Sequence, residues 1–143
     1  AMFDDRGLVP AIEHLLHAFS QRTGIVVGLD TSTSDIEFRE PLATAVYRMV
    51  QEALTNVARH ARATEVRVTI RVKADGLTIS AWDNGIGITT AKLQSGKSLG
   101  ILGIKERART LGGAADVRGA REGGTVVEIK VPVKQVRGMG ASA

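Results

Sequence analysis

Val66-Arg67-Val68-Thr69-Ile70-Arg71-Val72 alternates apolar and polar residues without a break. Across Asp75-Gly76, Leu77-Thr78-Ile79-Ser80-Ala81 does the same. A period of two marks a strand with one buried face. Asp-Gly is a two-residue hairpin turn. The stretch is therefore a β-hairpin with Arg67, Arg71, Thr78 and Ser80 facing outward. Counting by twos from Leu77, Ile79 and Ala81, the next inward position is Asp83. A carboxylate on the core side of a strand end is costly unless it accepts hydrogen bonds. An exocyclic amino group such as that of adenine would supply one. The plainer reading is a turn, since Asp83-Asn84-Gly85 is good turn chemistry. No strand follows at once to complete a second hairpin, which weakens that reading.

Outward from the hairpin the pattern becomes helical. Pro41 opens a long helix in which Leu42, Ala45, Val46, Met49, Val50, Ala53, Leu54, Val57 and Ala61 recur at i, i+3 and i+4. An earlier helix begins in the turn around Pro10, carries Ile12, Leu15, Leu16 and Phe19, and ends near Gly24. Ile25 to Leu29 reads as a short strand and Thr31 to Asp35 as loop. Downstream, residues 84–98 dissolve into Gly, Thr, Ser and Lys. A helix resumes near Ile101 and stops at Gly112-Gly113. Strands follow near Ala115–Gly119 and, after Gly123-Gly124, at Thr125–Val133. Helices and hairpins in one chain of this length predict a two-layer α/β sandwich with the helices on one sheet face. Residues 134–143 lack a pattern and are expected to be a disordered tail, and Ala1-Met2 reads as a cloning remnant.

Composition narrows the possibilities. The 143 residues fit one domain, and 43% hydrophobic against 24% charged argues against a disordered chain. Zero cysteines exclude disulfides and thiolate metal sites. No apolar run approaches the roughly 20 residues of a membrane helix, and the N-terminus does not read as a signal peptide. A net charge of +4 permits an acidic partner. No basic block interleaved with aromatics provides a stacking platform, so no nucleic-acid partner is expected.

Three further places break the core pattern. Glu52, Asn56 and His60 stack at intervals of four along one flank of the long helix, with Arg59 beside them. A helix-surface network of Glu52 with Arg59 or His60 explains them. So does a site in which an amide oxygen meets Mg²⁺, a carboxylate takes a proton and cations meet phosphate. Gly85, Gly87, Gly96, Gly100 and Gly103 form the second place, either a plain surface loop or backbone that approaches a ligand. Gly96-Lys97-Ser98 looks like the end of a P-loop, but the required first glycine falls on Ala91. The third is Thr125, whose hydroxyl shares the inward phase of Val127, Ile129 and Val131; a good strand residue explains it as well as a polar floor does.

Together these residues resemble the ATP-binding catalytic domain of sensor histidine kinases, in the superfamily shared with gyrase B, Hsp90 and MutL. Gln51-Glu52-Ala53-Leu54-Thr55-Asn56-Val57-Ala58-Arg59-His60-Ala61 resembles the N box, and Asp83-Asn84-Gly85-Ile86-Gly87 the G1 box. Ser98-Leu99-Gly100-Ile101-Leu102-Gly103-Ile104-Lys105-Glu106-Arg107 resembles the G2 box, and Gly124-Thr125 the closing pair. The wording is similar to the subfamily that phosphorylates NarL/LuxR-type response regulators. The resemblance covers residues 4–133. It implies the Bergerat fold: α+β, a mixed and mostly antiparallel sheet covered on one face by three helices.

The resemblance also implies roles. Asn56 coordinates Mg²⁺, Glu52 polarises the attacking nucleophile, and Arg59 and His60 lie near the phosphates. Asp83 accepts from the adenine amino group with Thr125 assisting. Gly85 and Gly87 let the backbone pass base and ribose, and Gly100 and Gly103 offer amides to the phosphates. Residues 84–99 become a lid. The cofactors are ATP and Mg²⁺. His14, His17 and His60 are not followed by an acid, so the phosphoacceptor His is expected on a separate dimerisation domain. The isolated domain is then a monomer that does not autophosphorylate alone, within a homodimeric kinase that feeds a response regulator. A cytoplasmic location is expected, compatible with a membrane-anchored parent. An anti-sigma-type serine kinase or a gyrase-like hydrolase is the alternative, and a non-enzymatic basic module a remote one.

Overall fold

Gly24 ends the first helix in the left-handed conformation, donating its N–H to Ser20 O, and the chain turns directly into the sheet. The computed structural model describes residues 7–32, 38, 40–74, 76–87, 99–121 and 123–132. The elements are α1 (Leu8–Thr23), β1 (Val26–Thr31), α2 (Leu42–Asn56), β2 (Glu65–Lys73), β3 (Gly76–Asp83), α3 (Leu99–Thr110), β4 (Ala114–Gly119) and β5 (Thr125–Pro132). Their order and type follow the sequence expectation, with α1 starting two residues before Pro10 rather than at it. The hairpin residue Asp75, the middle of the expected lid at 88–98, the tail at 134–143 and the remnant at 1–2 lie outside the described residues.

The sheet runs β1-β2-β3-β5-β4. Only β1 and β2 are parallel, joined through α2; the other neighbours are antiparallel. The sheet is therefore mixed and mostly antiparallel, as the resemblance implies. The inward residues of the predicted hairpin, Val66, Val68, Ile70, Leu77 and Ile79, are buried. They share one core with Ile12, Leu16 and Phe19 of α1, Val46, Met49 and Val50 of α2, and Ile104 and Ala108 of α3. Full burial of each such side chain contributes about 1.5–3 kcal/mol. That one-sided core holds the helices against the sheet.

α2 starts on a cap that its sequence does not advertise. The Glu40 carboxylate accepts from the Thr44 N–H at 2.9 Å and from its hydroxyl at 2.6 Å. The expected five-turn helix is interrupted at its far end: after Asn56 the chain widens into a π turn, Val57–Ala61. Apolar spacing does not distinguish one widened turn from regular helix. Arg62 then ends the element with φ 51°, the only positive-φ non-glycine among the described residues.

The outward sheet face is laced by ion pairs. Arg67 meets Glu65 at 2.8 Å, Arg71 meets Asp30 at 2.7 Å and Arg118 meets Asp116 at 3.2 Å. Arg67 also lies 5.7 Å from the ring centre of Trp82. The basic strand face inferred from the sequence is thus largely neutralised.

Candidate functional site

Asp83 ends β3, the middle strand, paired in register with Val66 on one side and Thr125 on the other. It is 5% exposed and the only buried polar or charged side chain among the described residues. No described residue forms an ion pair with it. Its Oδ1 accepts the Gly85 N–H at 2.9 Å, and the nearby Thr125 N–H also favours the charged carboxylate. Burial pushes the Asp83 carboxyl above the usual range, and those two backbone donors pull it part of the way back. The group is a desolvated acceptor served by backbone alone.

Glycines make room around it. Gly124, at φ 89°, passes directly beneath the Asp83 main chain, and Gly87, at φ 83°, lies against the Gly124 carbonyl. No side chain other than hydrogen fits Gly124 there. Asn84 is a clamp rather than part of a lid. Its Oδ1 accepts the Thr64 and Glu65 N–H groups, both at 2.9 Å, and its Nδ2 donates to Thr64 Oγ1 at 2.8 Å. These bonds fasten the end of β3 to the segment that leaves the π turn. The acidic strand end is thereby tied to the chain that follows α2 and its π turn.

On that flank, Glu52 and Asn56 are half-buried. Glu52 Oε2 and Asn56 Nδ2 are buried atoms with no hydrogen-bond partner among the described residues. Buried polar groups are nearly always paired, so two orphans on successive turns require an explanation. α3 crosses directly over them. A Cβ on Gly100 would stand 2.8 Å from Asn56 Nδ2, and one on Gly103 would stand 2.7 Å from Glu52 Oε2. The glycines thus let α3 settle onto the polar line. Arg59, in the π turn, is exposed; the His60 side chain lies outside the described residues. Thr125 is half-buried beside Asp83, with its backbone rather than its hydroxyl making the recorded contact.

One member of the cluster was not anticipated. Arg107 of α3 donates through Nη1 to Glu52 Oε1, so Glu52 is tied across to α3 and not to Arg59 along its own helix. Gly103-x-x-x-Arg107 was the available signal, because a four-residue step puts both on one helix face. The partner, 55 residues away, carried none.

Residues 42–135 match the family described as histidine kinase-, DNA gyrase B-, and HSP90-like ATPase. The chain belongs to this ATPase family. It is 35% identical over 130 residues to the signal transduction histidine-protein kinase/phosphatase DegS of Brevibacillus brevis, covering 91% of this chain and 33% of that protein. It is 33% identical over 130 residues to the sensor histidine kinase LiaS of Bacillus subtilis, covering 91% of this chain and 35% of that one. The chain spans about a third of the length of the curated relatives it matches. Among solved structures it superposes on the blue-light activated histidine kinase EL346 of Erythrobacter litoralis with a TM-score of 0.75 at 26% identity, covering 90% of this chain and 42% of that one. The ATP-binding domain of PrrB from Mycobacterium tuberculosis, at 21% identity and a TM-score of 0.70 over 91% of this chain and 98% of that one, shares the fold. This ATPase domain is accordingly an ATP-binding catalytic domain of the sensor histidine kinase type, with three helices on a five-stranded mixed sheet. Among its described residues no helix is long and apolar enough to cross a membrane.

Proposed function

We propose that the domain binds ATP with Mg²⁺ and passes the γ-phosphoryl group to a histidine on a separate dimerisation domain, for relay to a response regulator of the NarL/LuxR type. The observation that carries this reading is Asp83. A buried carboxylate with backbone donors and no counter-charge has acceptor capacity left over, and it is the one group here able to select an exocyclic amino group. Thr125 shares the inward phase of its strand and borders the same floor. Gly85 and Gly87 leave space for base and ribose. Gly100 and Gly103, at the start of α3, are the candidates for phosphate amides, with Arg59 and His60 of the π turn as the basic residues expected to meet the phosphates.

The donor set also fits a metal that arrives with its ligand. Among the described residues no group of three His, Cys, Asp or Glu could hold an ion by itself. Mg²⁺ commonly keeps few protein ligands and takes the rest from phosphate and water. The amide oxygen of half-buried Asn56 would supply one. When bound, Mg²⁺ neutralises charge on the phosphates. The chain's own part is then positioning: Asp83 sets the base and Glu52 polarises the nucleophile.

A chimaera in which this chain replaces the matching segment of LiaS tests the proposal. With ATP and Mg²⁺ it should gain an acid-labile, base-stable phosphate on the LiaS acceptor histidine. A folded chimaera that binds ATP and gains none refutes histidine phosphorylation. Acid-stable phosphoserine would replace it with the serine-kinase reading. Asp83→Asn should reduce labelling at limiting ATP by weakening ATP binding.

A further inference from the structure

Glu52 is held asymmetrically. Arg107 Nη1 donates to Oε1, and Oε2 is buried with no hydrogen-bond partner among the described residues. Gly103 lies beside both groups: a Cβ there would meet Glu52 Oε2 at 2.7 Å and Arg107 Nη1 at 3.1 Å. Each carboxylate oxygen has two lone pairs, so one N–H does not fill Oε1; the charge-assisted bond from a guanidinium instead fixes the plane of the group. Arg107 is one turn beyond Gly103 on α3, so the pair also makes the orientation of Glu52 depend on where α3 sits.

We propose that Arg107 is a positioning residue. By holding Oε1 it fixes the orientation in which the Glu52 carboxylate meets the proton of the phosphoryl acceptor. In the step served, one imidazole nitrogen forms the N–P bond and the bond from Pγ to the bridging oxygen breaks. Its electron pair leaves with ADP. The proton on the other ring nitrogen passes to the Glu52 carboxylate and later to solvent. This rests on the reading of Glu52 as the group that polarises the nucleophile. Gly103 serves the same arrangement, since a side chain there would crowd both carboxylate and guanidinium.

The structure sets a sharp expectation because the pair is partly open, with the Arg107 side chain 40% exposed. Such pairs add little to folding. Loss of Arg107 should therefore leave the melting temperature nearly unchanged while slowing chemistry.

The test uses the LiaS chimaera with Arg107→Ala, Arg107→Lys, Glu52→Gln and the Arg107→Ala/Glu52→Gln double variant. ATP affinity, kcat and KM for phosphoryl transfer are read separately. Arg107→Ala should lower kcat about tenfold or more, the usual reach of acid–base assistance, with KM for ATP within about twofold. Arg107→Lys should recover part of the rate. The double variant should be no slower than Glu52→Gln alone. Gly103→Ala, which removes no charge, should also slow transfer. An unchanged kcat in Arg107→Ala, or losses that add in the double variant, overturns the role of Arg107 while leaving that of Glu52 intact. An unaltered rate in Glu52→Gln removes the base and this proposal together. A chimaera that binds ATP and transfers nothing rejects the kinase reading itself.

Discussion

A Cβ on Gly124 would stand 1.8 Å from the carbonyl oxygen of Asp83 and 3.0 Å from Cα of Asn84. Backbone meets backbone here, so neither side can swing away. Gly124 also holds φ 89°, where an L side chain is strained. Gly123 next to it has φ 95° but open space around the missing Cβ. The two positions therefore separate strain from clash. Gly123→Ala should lose about 1–2 kcal/mol, the left-handed penalty alone. Gly124→Ala should lose at least about 3 kcal/mol, well beyond an ordinary point substitution. Urea denaturation of both variants measures the difference, and equal losses would mean that the close approach is not what demands glycine.

Asp83 joins function to a stability penalty. Its folded carboxyl holds a proton more tightly than the unfolded chain does, because burial outweighs the bonds from Gly85 and Thr125. The folded state then gains protons relative to the unfolded state, and stability falls as pH rises from the ordinary value of 3.8 through the raised one. Asp83→Asn keeps an oxygen for the Gly85 N–H and removes the buried charge. The nucleotide-free variant should melt roughly 2–4 °C higher at neutral pH. This contribution to the pH slope should vanish with it. ATP affinity should nevertheless drop about tenfold or more, the usual worth of a bond to a charged group. Calorimetric melting from about pH 4 to 7, with and without ATP, checks both signs. A less stable variant at neutral pH would show that Asp83 earns its place structurally.

Asn56 makes the converse case. A buried amide nitrogen with no partner contributes no hydrogen bond to lose. Asn56→Ala should therefore cost less than about 1 kcal/mol, below the usual penalty for removing a bonded polar group. Its effect should fall on the metal. Titration with ATP in the presence of Mg²⁺ should weaken several-fold, while titration in EDTA should change little. Equal weakening in both would place Asn56 on the nucleotide and not on the ion.

Much of this was legible in the residues themselves. Alternation from Val66 to Val72 and Leu77 to Ala81 gives the hairpin because each strand has one dry face, and the same phase carries Asp83 inward. The pairings between distant segments were not legible. Nothing local tells β1 to lie parallel to β2, or Arg107 to find Glu52, because each depends on where α2 and α3 settle over the core. Asn84 read as loop chemistry, and its clamp on Thr64 and Glu65 depends on a neighbour 19–20 residues back. The π turn was hidden because Val57 continues the apolar stripe whether or not the turn is widened.

Arg62 shows the last of these gaps most directly. Helices commonly stop on glycine in the left-handed region. Here an exposed arginine holds φ 51° and ψ 38° at the end of the π turn, just before the segment that Asn84 clamps. A left-handed non-glycine residue costs about 1–2 kcal/mol, and glycine gives back about 0.5–1 kcal/mol of that in chain entropy. Arg62→Gly should consequently stabilise the domain by about 0.5–1 kcal/mol. Arg62→Ala should be near neutral, since it keeps the Cβ that creates the strain. If the π turn is retained because it presents Arg59 and His60, Arg62→Gly should leave ATP affinity unchanged, as its backbone already suits the conformation. A stabilised variant that binds ATP as before places the strain at the helix stop. A destabilised one means that the Arg62 side chain makes up for its own backbone.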